Sequence, residues 1–207
     1  MTDGIIFDVD GTIWDSTFVS AEAWTKTVSE ETGSDEIITA EKLKTLFGKP
    51  MDMILDALFP DLSSEAKNEL AGKIYISVEK ALEADPPEVY AGLNETLSAL
   101  SEHYPLFVVS NCQKGYIESM YRAAGIGGYF KDKLCYGDTG KYKADNIKEM
   151  IERHHLKAPV YVGDTQGDLE ASKEAGCAFV WAAYGFGRVD GYDYIINTPG
   201  DLIRLFI

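Results

Sequence analysis

Cysteine, basic residues and long apolar runs are all scarce in this 207-residue chain, and each scarcity excludes something. The three cysteines, Cys112, Cys135 and Cys177, are odd in number and show no C-x-x-C spacing. That argues against a disulfide framework and a structural zinc and fits a reducing compartment, so a cytoplasmic location is expected. Cys135 and Cys177 lie in apolar runs, as small core residues do. No apolar run reaches roughly eighteen residues, and no basic stretch precedes an apolar one near Asp3, so neither a transmembrane helix nor a signal peptide is expected. Lysine and arginine number 19 against 34 acids, a net charge of −15. A nucleic-acid partner, which needs a basic patch, is therefore not expected. Any phosphate site must be local, made of a metal, a lysine and backbone N–H groups. Internal repeats and low-complexity segments are absent as well.

What is present begins at Gly4-Ile5-Ile6-Phe7-Asp8-Val9-Asp10-Gly11-Thr12. The apolar run reads as a buried parallel strand that Gly-Thr stops. It ends in two carboxylates one residue apart, which point the same way on an extended chain. Open α/β sheets bind ligands at this end of their strands, and two anions so close need a cation or a shared proton.

Residues 15–87 carry helical patterns only. Phe18, Ala21, Trp24 and Val28 form an apolar stripe over 16–31; short helices are expected over 41–47 and 51–59, and a longer one from about 63 to 84, halted by Asp85-Pro86-Pro87. From 88 onward strands and helices alternate. Strands are expected at 106–110, 133–136, 160–162, 178–182 and 194–196, and helices at 113–124, 144–155, 169–175 and 199–206. This alternation predicts an α/β fold with a doubly wound, mostly parallel sheet. The boundaries drawn are 1–14 with 88–207 for the α/β core and 15–87 for an inserted α-helical cap, placed where a lid over the strand ends belongs. The three histidines, His103, His154 and His155, fall at helix ends and read as surface or capping residues.

Two further strands end in polar groups. Phe107-Val108-Val109 runs into Ser110-Asn111, which can donate to phosphate oxygens or cap the following helix. Val160-Tyr161-Val162-Gly163 runs into Asp164, with Asp168 at the start of the next helix. A carboxylate leaving a buried strand behind a glycine suits a hard cation such as Mg²⁺, whereas Asp168 also has an explanation in the helix dipole. Three buried strands ending in such groups at one sheet edge is a pattern that turns alone explain poorly. A lysine to balance phosphoryl charge is offered by Gly140-Lys141-Tyr142-Lys143, where lysines at a helix N-terminus oppose the dipole. Of Lys141 and Lys143, the second is favoured.

The ordered set Asp8-Val9-Asp10-Gly11-Thr12, Ser110-Asn111, Lys143 and Gly163-Asp164 with Asp168 resembles the four motifs of the haloacid dehalogenase superfamily, and the helical insert resembles its small α-helical cap. Relatives often carry Lys-Pro at the third motif; here Ala144 follows Lys143. The resemblance implies a Mg²⁺-dependent phosphomonoesterase acting on a small phosphorylated metabolite through an aspartyl-phosphate, similar to phosphoglycolate phosphatases and their helical-capped relatives. Asp8 would be the nucleophile and Asp10 the general acid and then base. Mg²⁺ would be held by Asp8, the backbone carbonyl of Asp10 and Asp164, with Asp168 supporting through water. Gly11, Thr12, Ser110, Asn111 and Lys143 would hold phosphate, and Lys49, in the break between two cap helices, would meet a second anionic group. Ala91-Gly92-Leu93 resembles an entry loop, and Tyr184-Gly185-Phe186-Gly187 reads as a site wall or a tight connection. A phosphomutase of the β-phosphoglucomutase type and a nucleotidase share these motifs. A phospho-aspartate receiver shares the acids and lysine but is disfavoured by the roughly seventy-residue insert.

Overall fold

Strand β1 (Gly4–Phe7) is buried at every position, and the rest of the chain is arranged around it. A computed structural model describes residues 2–207. After β1 come α1 (Thr17–Thr32), α2 (Ala40–Lys44), α3 (Met51–Leu58) and α4 (Ser64–Ala84). They are followed by α5 (Leu93–Ser101), β2 (Leu106–Ser110), α6 (Tyr116–Ala124), a 3₁₀ turn at Gly127–Tyr129, β3 (Phe130–Cys135) and the four-residue α7 (Tyr136–Thr139). The chain closes with α8 (Lys143–His154), β4 (Pro159–Gly163), α9 (Gln166–Ala175), β5 (Ala178–Ala182), β6 (Tyr194–Ile196) and α10 (Asp201–Phe206). Among the described residues no helix is long and apolar enough to cross a membrane.

The six strands form one parallel sheet in the order β3-β2-β1-β4-β5-β6, as the alternation of strands and helices predicts. Ile5 pairs with Leu106 on one side and Val160 on the other. Side chains alternate across a strand, so Ile5 and Phe7 enter one core with α1, α4, α5 and α6, while Ile6 enters the other with Phe107, Tyr161, Ile147 and Leu169. Each fully buried Ile or Phe contributes roughly 1.5–3 kcal/mol, which is why β1 tolerates no polar residue before Asp8. The winding runs outward to β3, then reverses to β4, β5 and β6. The crevice between the carboxyl ends of β1 and β4 is therefore the switch point.

The helical block leaves and rejoins the sheet through two paired linkers. Trp14 bridges to Val89 in antiparallel fashion, and the Tyr90 N–H donates to the Ile13 carbonyl at 3.0 Å. Helices α1 and α4 pack on each other, and the turn before α3 reaches the sheet edge, where the Gly48 carbonyl accepts from Asn111 Nδ2 at 2.8 Å.

Several local expectations need correction. Phe18 is 63 % exposed, with the Lys44 ammonium 5.0 Å from its ring. The buried residues of α1 are Thr17, Ser20, Ala21, Ala23, Trp24, Thr27 and Val28, mostly at spacings of three and four, a set that includes hydroxyls and leaves Phe18 to one side. Strand β3 starts three residues earlier than 133–136 because an edge strand can carry charges such as the exposed Lys131 and the half-buried Asp132. Helix α6 starts three residues later than expected, after Gly115 in the left-handed region. His154 is half-buried: its ring lies 4.6 Å from that of Phe107 and its Nε2 is 2.8 Å from Asp132 Oδ2. His155 closes α8 in the left-handed region, a capping position as expected.

Candidate active site

Asp8 follows β1 directly, its N–H donating to the Val162 carbonyl at 2.9 Å, and its side chain is 1 % exposed. Asp164 follows β4 behind Gly163, and Asp168 opens α9; both are buried. One carboxylate oxygen from each of Asp8, Asp164 and Asp168 lies within 4.8 Å of the others. Lys143, the first residue of α8 and also buried, places its ammonium 2.9 Å from Asp8 Oδ1 and 2.5 Å from Asp168 Oδ1. The unfavourable place of this lysine at a helix N-terminus is thereby explained, since its charge is spent on the acids. Lys141 instead faces solvent and pairs with Glu149 at 3.0 Å.

Asp168 is fully engaged. Its Oδ1 faces Lys143, and its Oδ2 accepts from the Asp164 N–H at 3.1 Å, the Thr165 N–H at 2.9 Å and Thr165 Oγ1 at 2.7 Å, completing a capping box. It thus fixes both the turn that carries Asp164 and the position of Lys143. Asp164 is aimed by the loop after β5. The Phe186 N–H donates to its Oδ2 at 2.7 Å, and Trp181 Nε1 donates to its backbone carbonyl at 3.2 Å. The packing here leaves no room for side chains. A Cβ on Gly11, which has φ +82°, would lie 2.2 Å from Asp164 Oδ2, and one on Gly185 would lie 2.3 Å from the Gly11 carbonyl. This Gly-Phe-Gly loop, whose sequence suggests a wall or a connection, is instead the cradle of Asp164. The glycines on both sides of Phe186 were the available signal.

One buried oxygen of the cluster, Asp164 Oδ1, accepts no hydrogen bond from any described residue, and Asp8 Oδ1 has only the Lys143 ammonium beside it. Three carboxylates against one ammonium leave two negative charges uncompensated. Burial accordingly pushes Asp8 up to about 6, with Lys143 opposing and Asp168 adding to the rise, and it pushes Asp164 well above the usual carboxylate range. For Lys143 burial works against the charge, and Asp168 and Asp8 outweigh it, raising its pKa. An all-oxygen pocket with an excess of carboxylates and an orphaned oxygen on Asp164 fits a hard divalent cation.

Asp10 occupies different surroundings. Its Oδ1 accepts from Ser16 Oγ at 2.6 Å and from the Tyr116 hydroxyl at 2.8 Å, and the two hydroxyl oxygens lie 2.7 Å apart. Desolvation raises Asp10 to about 7 against the pull of these two donors. Ser16 and Tyr116 were not foreseen; Tyr116 belongs to α6, a hundred residues away in the chain, and its ring packs edge-on against Trp14 at 5.9 Å.

The remaining expected residues are distributed around this centre. Ser110 ends β2 nearly buried, beside Cys135 of β3. Asn111 is turned towards the helical block by its bond to Gly48. Thr12 is buried, and its carbonyl accepts from the Tyr184 hydroxyl at 2.9 Å. Lys49 is exposed at the rim of a cavity between the block and Asp10, outside the carboxylate cluster. Gly92 caps α5 in the left-handed region, with Leu93 buried behind it.

The family model of haloacid dehalogenase-like hydrolases matches residues 5–182. A phosphoglycolate phosphatase of Aquifex aeolicus is 29% identical over 209 residues, covering 97% of this chain and 95% of its own. A phosphoglycolate phosphatase of Photobacterium profundum is 29% identical over 195 residues, covering 88% and 83%. A haloacid dehalogenase-like family protein of Streptococcus pneumoniae superposes with a TM-score of 0.85 at 25% identity, covering 100% of this chain and 99% of that one.

Proposed function

The chain belongs to the haloacid dehalogenase-like hydrolases and is a phosphatase of that family, and we propose that it hydrolyses a small phosphorylated metabolite through a phosphoryl group carried on Asp8. The observation that carries this reading is the unlike treatment of two carboxylates two residues apart. Asp8 sits among charges, with Lys143 at 2.9 Å, whereas Asp10 is held by two hydroxyls alone.

A carboxylate beside an ammonium keeps the charge a nucleophile needs, so Asp8 attacks phosphorus. Lys143 offsets negative charge on the transferring phosphoryl oxygens, and Ser110 with backbone N–H groups at the strand ends orients them. Asp10, near 7, holds a proton for the leaving oxygen and then takes one from the water that opens the aspartyl-phosphate. Asp168 is a positioning residue that fixes Lys143 and the Asp164 turn. Asp8 and Asp164, with the Asp10 backbone carbonyl, would hold Mg²⁺, which when bound neutralises phosphate charge and helps align phosphorus with Asp8. Helices α1–α4 act as a lid hinged at the Trp14–Val89 pair, and its substrate-side wall selects the leaving group.

The test is phosphate release from a panel of small phosphomonoesters with Mg²⁺, wild type beside Asp8→Asn. Activity abolished by EDTA and lowered about 10⁴-fold or more in Asp8→Asn is expected. An Asp8→Asn variant as active as wild type would exclude Asp8 as the nucleophile.

A further inference from the structure

A cavity of about 60 Å³ lies between Asp10 and Asn111 on the sheet side and the helical block above them. Its far wall is Trp24, Phe47, Met51, Ile54, Ile74 and Val78, together with Tyr75. Trp24, Ile54, Ile74 and Val78 are buried, so this wall is shielded from bulk water. Two buried polar atoms on the lining accept or donate no hydrogen bond among the described residues: Ser20 Oγ and Asn111 Oδ1. The Gly48 carbonyl takes the Asn111 amide nitrogen and so settles which way that side chain points; its oxygen is left as an acceptor. Asp10 is the lone carboxylate of the lining, and Lys49 is the lone cation, exposed at the rim rather than within.

From this geometry we infer that the leaving group is a short, uncharged, largely carbon alcohol that fills this cavity and can give one hydrogen bond to Asn111 Oδ1. The inference rests on the phosphatase reading above and narrows its substrate class. It departs from the activity named for the two curated relatives, because glycolate carries a carboxylate. An anionic leaving group placed here loses its hydration against apolar walls and faces Asp10, with no buried cation to compensate. Size alone does not discriminate. At roughly 10–15 Å³ of such volume for each water-sized group, the cavity holds about four to six non-hydrogen atoms, and glycolate would fit. Charge makes the distinction.

The experiment measures kcat/KM by phosphate release, with Mg²⁺, for ethyl, propyl, butyl and hexyl phosphate, the monophosphate of 1,3-propanediol, and phosphoglycolate. A rise of about fourfold per added methylene as far as butyl is expected, with a fall at hexyl. The propanediol ester should match or exceed propyl phosphate, and propyl phosphate should exceed phosphoglycolate at least tenfold. Phosphoglycolate turned over as fast as propyl phosphate, or faster, overturns the inference and leaves the phosphatase assignment standing. No release from any compound by the folded protein overturns both. A second variant tests the wall itself. Met51 is only partly buried, and Met51→Lys sets a cation beside the cavity, which should raise the phosphoglycolate-to-propyl ratio at least tenfold. An unchanged ratio, in a variant whose thermal melt shows it folded, overturns the placement of the leaving group.

Discussion

The sheet edge and the helical block face each other across a cavity, yet they are built on opposite principles. At the edge, Asp8, Asp164, Asp168 and Lys143 are buried, and glycines bring the backbone so near that a single methyl group would collide. In the block, Gly33 ends α1 with φ +68° and nothing within 4 Å of where a Cβ would stand. Among the described residues, one side-chain hydrogen bond, from Asn111 to Gly48, ties the turn before α3 to the strand ends. Charged groups are held where packing over-determines their position, while the helical block meets them through far fewer fixed contacts.

The sharpest way to break this comparison is a matched pair of glycine substitutions. Gly185→Ala must push against the Gly11 carbonyl and Asp164 Cβ, and a displacement of Asp164 by about 1 Å should cost on the order of 100-fold in kcat/KM. Gly33→Ala should cost about 1 kcal/mol through its left-handed backbone and leave kcat/KM within twofold. Equal activity losses in the two variants, measured beside urea denaturation, would show that the regions do not differ in this respect.

Next in size is Tyr116→Phe, which takes one of two donors from Asp10 while keeping the ring on Trp14. A fall of about tenfold in kcat with little change in KM is expected, since a hydrogen bond to a charged group is worth about 1.5–3 kcal/mol and Ser16 remains. A change confined to KM would place Asp10 in binding rather than proton transfer.

Metal addition sharpens the comparison without relying on turnover. Two uncompensated charges at the sheet edge should make the thermal midpoint rise with Mg²⁺ over an EDTA baseline, by a few degrees at saturating metal. Asp164→Asn should lose most of that rise, and Met51→Lys, in the block, should keep it. A rise that is the same in Asp164→Asn would move the cation elsewhere.

The smallest effect lies on the outer side of the sheet, away from both regions. Arg153 and His154 bond to the Asp132 carboxylate, and together with the Lys133 N–H they outweigh partial burial to hold its pKa below the usual range. A depressed folded-state pKa stabilises above the unfolded value of about 3.9, and that stability is lost as pH falls through the folded value. Asp132→Asn should therefore cost up to about 1 kcal/mol at pH 7 and nothing near pH 2, by denaturant melts at the two pH values.

The strands were legible because a buried parallel strand is a short apolar run stopped by turn residues. Residues 178–182 and 194–196 coincide with β5 and β6, and β1, β2 and β4 lie where such runs fall. Edge strand β3 was misplaced because exposure relaxes that pattern, and Phe18 because an apolar residue need not face a core. Asp8, Ser110, Asn111 and Asp164 stood out as polar residues ending apolar strands, and Lys143 as a cation at the wrong end of a helix. Ser16, Tyr116 and the Gly185-Phe186 cradle carried no comparable mark, since a hydroxyl near a helix start or a glycine pair in a loop has many ordinary explanations.

By itself the sequence determined the winding of the sheet and which charged residues gather at its switch point, because period, burial and turn chemistry act over a few residues at a time. Only the tertiary structure decided that Asp8 would lie among charges and Asp10 among hydroxyls, that Asp164 would be aimed by a backbone N–H twenty-two residues on, and that the cavity would have a mostly apolar far wall. Those outcomes depend on contacts between segments far apart in the chain, and a contact of that kind leaves no local signature in either partner.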